Sequence, residues 1–135
     1  DTDTDTDTDT DTDTDTDTDT DTDVDLVPVD LTNFTWTETE CGADEPVLTS
    51  MLTSVTGEGV VQVLHSGYLA SACVDFEASA GLSPADGSIA VSYLETGEPC
   101  DCTSTYTMEF ALRGLPSGSY TIILPDLLLD TVTIP

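Results

Sequence analysis

The chain holds one histidine, one arginine, one asparagine and four cysteines, and these few residues bound the chemistry open to it. His65 follows Val61 and Val63 at two-residue steps, so on a β-strand all three share one face. A catalytic histidine needs a nucleophile and an orienting acid within reach. The serines offer no Gly-x-Ser-x-Gly elbow. The spacing therefore predicts a hydrogen-bonded core or rim histidine. Arg113 reads as the cationic half of a structural salt bridge. Glycoside chemistry needs two carboxylates held across a cleft. The acids outside the tail fall in turn-like segments instead, at Asp44-Glu45, Glu95, Glu98, Asp101 and Asp126, which read as solvated loops. No catalytic residue is expected, and the chain is not read as an enzyme.

Cys41, Cys73, Cys100 and Cys102 are an even set in a small, lysine-free chain rich in Thr and Ser. That pattern predicts two disulfides and an oxidising compartment. If a strand runs through Cys100 and Cys102, they share a face and do not bond each other. Two connectivities remain: 41–100 with 73–102, or 41–102 with 73–100. The spacing lacks the paired Cys-x-x-Cys of a structural zinc site.

The first 23 residues alternate Asp and Thr without interruption. On an extended chain the carboxylates line one edge, about 7 Å apart, and the hydroxyls line the other. Carboxylates so spaced lie within the ~8 Å Debye length of physiological salt, so they repel and straighten the chain. One strand of them cannot chelate an ion locally. Strands ~4.8 Å apart could share one, so calcium on the Asp row requires a partner strand. No other cofactor is implied. The hydroxyl row, Thr2, Thr4, Thr6, Thr8, Thr10, Thr12, Thr14, Thr16, Thr18, Thr20 and Thr22, presents one repeated acceptor for O-linked glycans. Asn33-Phe34-Thr35 adds an N-glycosylation sequon at Asn33. Bare, the repeat has no apolar face to offset the entropy of ordering. Order is expected only in an assembly.

Net charge is −27, with 28 acids against one base. Nucleic acid and anionic membrane surfaces are excluded as partners, since no basic footprint exists. Cations, sugars and protein surfaces remain. Monomers repel at low salt, so self-assembly needs cations, salt or modification to quench the charge. No apolar run approaches the ~20 residues of a membrane span. No signal peptide is visible, and the chain reads as a mature exported product.

The elements that must position these residues are short strands. An apolar but irregular segment, Val24 to Leu31, switches faces at Pro28 and suggests an edge strand with a bulge or bend. Phe34 and Trp36 alternate with threonines. Val47 to Val55 and Val60 to Ser66 follow, the second apolar on both faces and so central. Gly67 is read as a break, and Tyr68 to Ala78 as one alternating strand. Ile89, Val91 and Tyr93 make the next face. Tyr106, Met108, Phe110 and Leu112 form the cleanest alternation. Gly114 to Gly118 reads as a hairpin loop before Tyr120, Ile122 and Leu124. Eight or nine strands with Gly/Pro turns predict an all-β fold, an antiparallel immunoglobulin-like β-sandwich over 24–135, preceded by the extended Asp-Thr repeat over 1–23.

Cys100-Asp101-Cys102, the aromatic strand, then Gly114-Leu115-Pro116-Ser117-Gly118-Ser119-Tyr120 resembles the C-terminal half of small secreted or lipid-anchored, cysteine-containing β-sandwich domains of Gram-negative bacteria. Val61, Val63, His65 and Cys73 match the strand and cysteine that precede that half. The similarity covers roughly residues 60–135. It implies an exported β domain and carries no established activity. Together these readings predict an extracellular or cell-surface structural protein, a filament or surface-layer subunit assembling through its terminal strands. The alternative is a monomeric binding module on an acidic stalk.

Overall fold

The computed structural model describes residues 25–39, 41–42 and 48–135. The Asp-Thr repeat, with its eleven threonines and its Asp row, lies outside the described residues, as do Val24, Asp44, Glu45 and Val47. The described chain is all-β with no helix. Its strands are β1 (Val27–Glu38), β2 (Ser50–Thr56), β3 (Val60–Ser71), β4 (Asp75–Ser83), β5 (Ser88–Thr96), β6 (Thr103–Arg113), β7 (Gly118–Ile123) and β8 (Leu129–Ile134). They form one sheet in the order β2-β3-β6-β1-β4-β5-β7-β8.

The class matches the sequence reading, but the sheet is mixed rather than antiparallel. β5 and β7 run parallel, and the sheet curls until it nearly closes as a barrel. The two outer strands meet at the seam, where the Thr53 hydroxyl donates to the Asp130 carboxylate.

β1 makes this shape. Its first residues pair with β4, Val27 opposite Leu82 and Val29 opposite Ala80. From Asp30 onward it pairs with β6 instead. The chain thus has two halves, β2-β3-β6-β1 and β1-β4-β5-β7-β8, with β1 common to both. Pro28 does not mark an edge strand. It sits in a central strand, on the short stretch paired on one side only, where a missing N–H is tolerated. The bulge lies further on, between Thr32 and Thr35, at Asn33 with φ +56°. Asn is among the residues that best tolerate this left-handed conformation. The bulge keeps Leu31 and Phe34 both inward, so the segments before and after it form one strand.

Gly67 likewise bends β3 without ending it. The register slips between Ser66 and Tyr68, and Gly67 takes φ +81°. A Cβ there would meet the Thr49 Cα at 2.7 Å. The run from Tyr68 to Ala78 is two strands, not one. Its alternation continues inward through Ala70, Ala72, Val74 and Phe76, all buried. Between them the chain turns at Ala72–Val74, with Cys73 at φ +68°, and crosses from one half to the other. Gly114 to Gly118 is also such a crossing rather than a hairpin loop, because β7 pairs with β5 and β8 and not with β6. Cys100 and Cys102 precede β6, so no strand runs through them.

The core fills the space between the halves. Val61, Val63, Ile89, Phe110, Leu112 and Ile122 make its larger part, and Ala70, Val74, Phe76, Tyr106 and Met108 a second cluster. Phe34 packs on both.

Candidate functional site

His65 sits mid-strand in β3, opposite Met51 of β2 and Met108 of β6. It points inward with Val61 and Val63 and is 0% exposed. Its Nδ1 lies 3.0 Å from the Tyr93 hydroxyl of β5, and its Nε2 lies 2.7 Å from an Asp126 carboxylate oxygen. Asp126 arrives on the tight turn between β7 and β8. There Leu127, at φ +64°, donates its N–H to the Leu124 carbonyl, and Leu124 donates to that of Leu128. Tyr68 meets Tyr93 edge-on at 5.1 Å, and Phe34 stacks on it at 5.8 Å.

Burial drives the Tyr93 phenol far above its ordinary range, with the Asp126 charge and Tyr68 adding to the effect. Tyr68 is raised by burial, then by Glu95 and Asp126. Both phenols therefore keep their protons at neutral pH. The Asp126 carboxylate can only accept, so His65 donates to it from Nε2, and Nδ1 pairs with the Tyr93 hydroxyl. This places Asp, His and a hydroxyl in triad order, but the chemistry runs the other way. An activated nucleophile has a lowered pKa, whereas Tyr93 is raised. The ring between the two partners has no exposed surface for a substrate atom. The cluster is a polar network, buried at His65 and open to solvent at Asp126, that ties β3, β5 and the β7–β8 turn together. His65 thus occupies the hydrogen-bonded core position expected of it. Asp126 lies on an exposed turn, as its sequence context predicts, and in addition its carboxylate reaches in to His65. The partners are 61 residues apart, and only the Pro125-Asp126 turn hinted at the second of them.

The four cysteines form Cys41–Cys102 and Cys73–Cys100, with Cα separations of 6.0 and 5.5 Å. This is the second of the two connectivities left open by sequence. Both bridges tie the chain around the β3–β4 crossing. Ala72 is clamped there by backbone bonds, donating to Cys102 and accepting from Cys100 at 2.9 and 2.8 Å. The Cys73 N–H donates to Glu38, and the Tyr106 hydroxyl to the Ser71 carbonyl. Two disulfides of this kind belong to an oxidising environment.

Asn33 is exposed at its bulge, and its sequon partner Thr35 is exposed beside it. Arg113 forms no ion pair among the described residues, against expectation. Its Nε donates to the Thr32 hydroxyl at 2.8 Å, although Asp30 is its cross-strand neighbour. Among the described residues no three His, Cys, Asp or Glu side chains gather closely enough to hold a metal ion. No described helix is long and apolar enough to cross a membrane. No family model, curated protein or solved structure matches the chain.

Proposed function

We propose that the protein is an extracellular structural subunit, built to be linked to its neighbours through the acidic Asp-Thr repeat and the terminal strands. The observation that carries this reading is how the repeat's end of the chain enters the fold. Residues just after it become β1, the one strand shared by both halves of the sheet. Force or attachment at the N-terminal end therefore enters along a strand that both halves hold, first through β4 and from Asp30 onward through β6, and the disulfides lie at that strand's far end. The lone histidine supports the same reading, being committed to Tyr93 and Asp126.

The repeat is the linking element: glycans on Thr2 to Thr22 supply the contact area its side chains lack, and cations such as calcium shared between Asp rows quench its charge. The domain reads as a variant of the immunoglobulin-like sandwich and as a relative of secreted or lipid-anchored bacterial β domains. Intact-mass measurement on natively produced protein tests the glycan part. A mass in excess of the polypeptide that maps to the repeat is expected. A mass equal to the chain less four disulfide hydrogens rejects it.

A second reading, a surface binding module on an acidic stalk, is favoured by one feature. A cleft of about 370 Å³ lies between β1 and the β6–β7 crossing, walled by Val27, Val29, Leu82, Leu115 and Pro116, and lined also by the cross-strand neighbours Arg113 and Asp30. Retention of a small apolar carboxylate, lost in Arg113→Gln, would favour this module over the subunit.

A further inference from the structure

β6 parts from β1 at one defined point. Asp30 and Arg113 are the last residues that the two strands set opposite each other. Gly114, at φ +73°, then turns the chain away toward β7, and Val27, Pro28 and Val29 keep only β4 as a neighbouring strand. The space left beside them is the cleft of about 370 Å³, near the lower end of the range for small-molecule sites. Leu115 closes its inner side as part of the main core, with Val29 and Leu82 packed against that core beside it.

Opposite charges stand at this cleft without pairing. Arg113 is the only Lys or Arg of the chain, and Asp30 faces it across the ladder, yet among the described residues they form no ion pair. The Thr32 hydroxyl accepts the Arg113 Nε–H at 2.8 Å and holds the guanidinium by that edge. The Nη groups of Arg113 and the Asp30 carboxylate bond no described side chain, and both residues line the cleft.

We propose that the cleft binds the zwitterion of an apolar α-amino acid, with its carboxylate on Arg113, its ammonium on Asp30 and its side chain against Val29, Leu82 and Leu115. The inference rests on the second reading above, the binding module, and names its ligand. Charge selects the occupant. A simple anion meets Asp30 as well as Arg113, and a simple amine meets Arg113 as well as Asp30. A zwitterion satisfies both, and with no net charge it is not repelled by a chain of −27. The end of a peptide brings only one of the two charges, and a metal cation is opposed by Arg113. Ion pairs open to water hold little by themselves. The apolar wall therefore decides whether the ligand stays, and it favours a side chain of leucine size over glycine.

Titration of the isotope-labelled full chain at neutral pH with L-leucine, up to about 10 mM, tests this by amide shifts. The shifts should centre on Val29, Asp30, Gly114 and Leu115. A dissociation constant of about 0.1–1 mM is expected for so small a ligand on a cleft open to water. Three fragments divide the contacts: isocaproate lacks the ammonium, isoamylamine lacks the carboxylate, and glycine lacks the side chain. Each should bind at least tenfold more weakly than leucine. Arg113→Gln and Asp30→Asn should each weaken leucine at least tenfold. Asp30→Asn should at the same time improve isocaproate, a gain that a failure to fold could not produce. No shift with leucine, isocaproate bound by the unmodified chain as tightly as leucine, or leucine indifferent to Asp30→Asn overturns the proposal. In the last two cases the cleft remains a binding site for apolar carboxylates, and the binding-module reading outlives the zwitterion. If no probe binds, that reading fails at this cleft as well, while the subunit reading stands on its own intact-mass test.

Discussion

Replacing Cys73 and Cys100 together by Ala tests how the β3–β4 crossing is held. The bridge spans 27 residues and is nested within the 61-residue span of Cys41–Cys102. Alone in the unfolded chain, a 27-residue loop would be worth about 3.6 kcal/mol of closure entropy. With Cys41–Cys102 intact, the two arms of that larger loop act in parallel and cut the effective length to roughly 15 residues, or about 3 kcal/mol. Removing Cys41 and Cys102 instead, with the inner bridge kept, opens an effective loop of roughly 35 residues, or about 3.8 kcal/mol. The native side should change little, since the backbone bonds at Ala72 remain. Urea denaturation of the three proteins measures both losses, and thermal midpoints should fall by roughly 10–15 °C. A loss under about 1 kcal/mol for the inner pair, or a larger loss for the inner than for the outer pair, would refute loop closure as the source of stability.

Three further outcomes follow from the geometry. Asp126→Ala strands the buried imidazole without an acceptor for Nε2–H and should cost about 1–3 kcal/mol in urea denaturation, with no change of fold by circular dichroism. Gly67→Ala should cost about 2 kcal/mol or more, because φ +81° is strained for Ala and the new Cβ meets backbone of Leu48 and Thr49. Tyr93 and Tyr68 are raised above the usual 10.0 in the folded state, so the folded form holds those protons more tightly. Their contribution is intact below pH 10 and is lost as pH rises beyond it. Tyrosinate absorbance near 295 nm should therefore lag in the native protein and jump on unfolding, whereas ionisation of all tyrosines near 10 in the folded state would contradict the burial of Tyr93.

The strands themselves were legible where one face is buried. Tyr106, Met108, Phe110 and Leu112 alternate, and each is 0% exposed. The connections were not. A run such as Tyr68 to Ala78 keeps its inward period through a corner, because both strands face the same core, so periodicity cannot reveal the turn at Cys73. Gly114 to Gly118 has the residues of a tight hairpin, yet pairing partners are set by the whole sheet. The bulge at Asn33 and the bend at Gly67 look like breaks in sequence because an extra residue shifts the alternation by one. The disulfides were legible as a pair of alternatives, and folding chose between them by bringing Cys41 to the start of β6. The His65 network was half legible: burial followed from Val61 and Val63, while Asp126 and Tyr93 come from elements distant in the chain.

Negative-stain electron microscopy of the natively produced protein, carrying its repeat, is the most direct test of the central claim. The account predicts filaments or an ordered layer in the presence of calcium or physiological salt, reduced to separate particles when the repeat is removed. Separate particles at every protein, calcium and salt concentration, with the repeat intact, would contradict it.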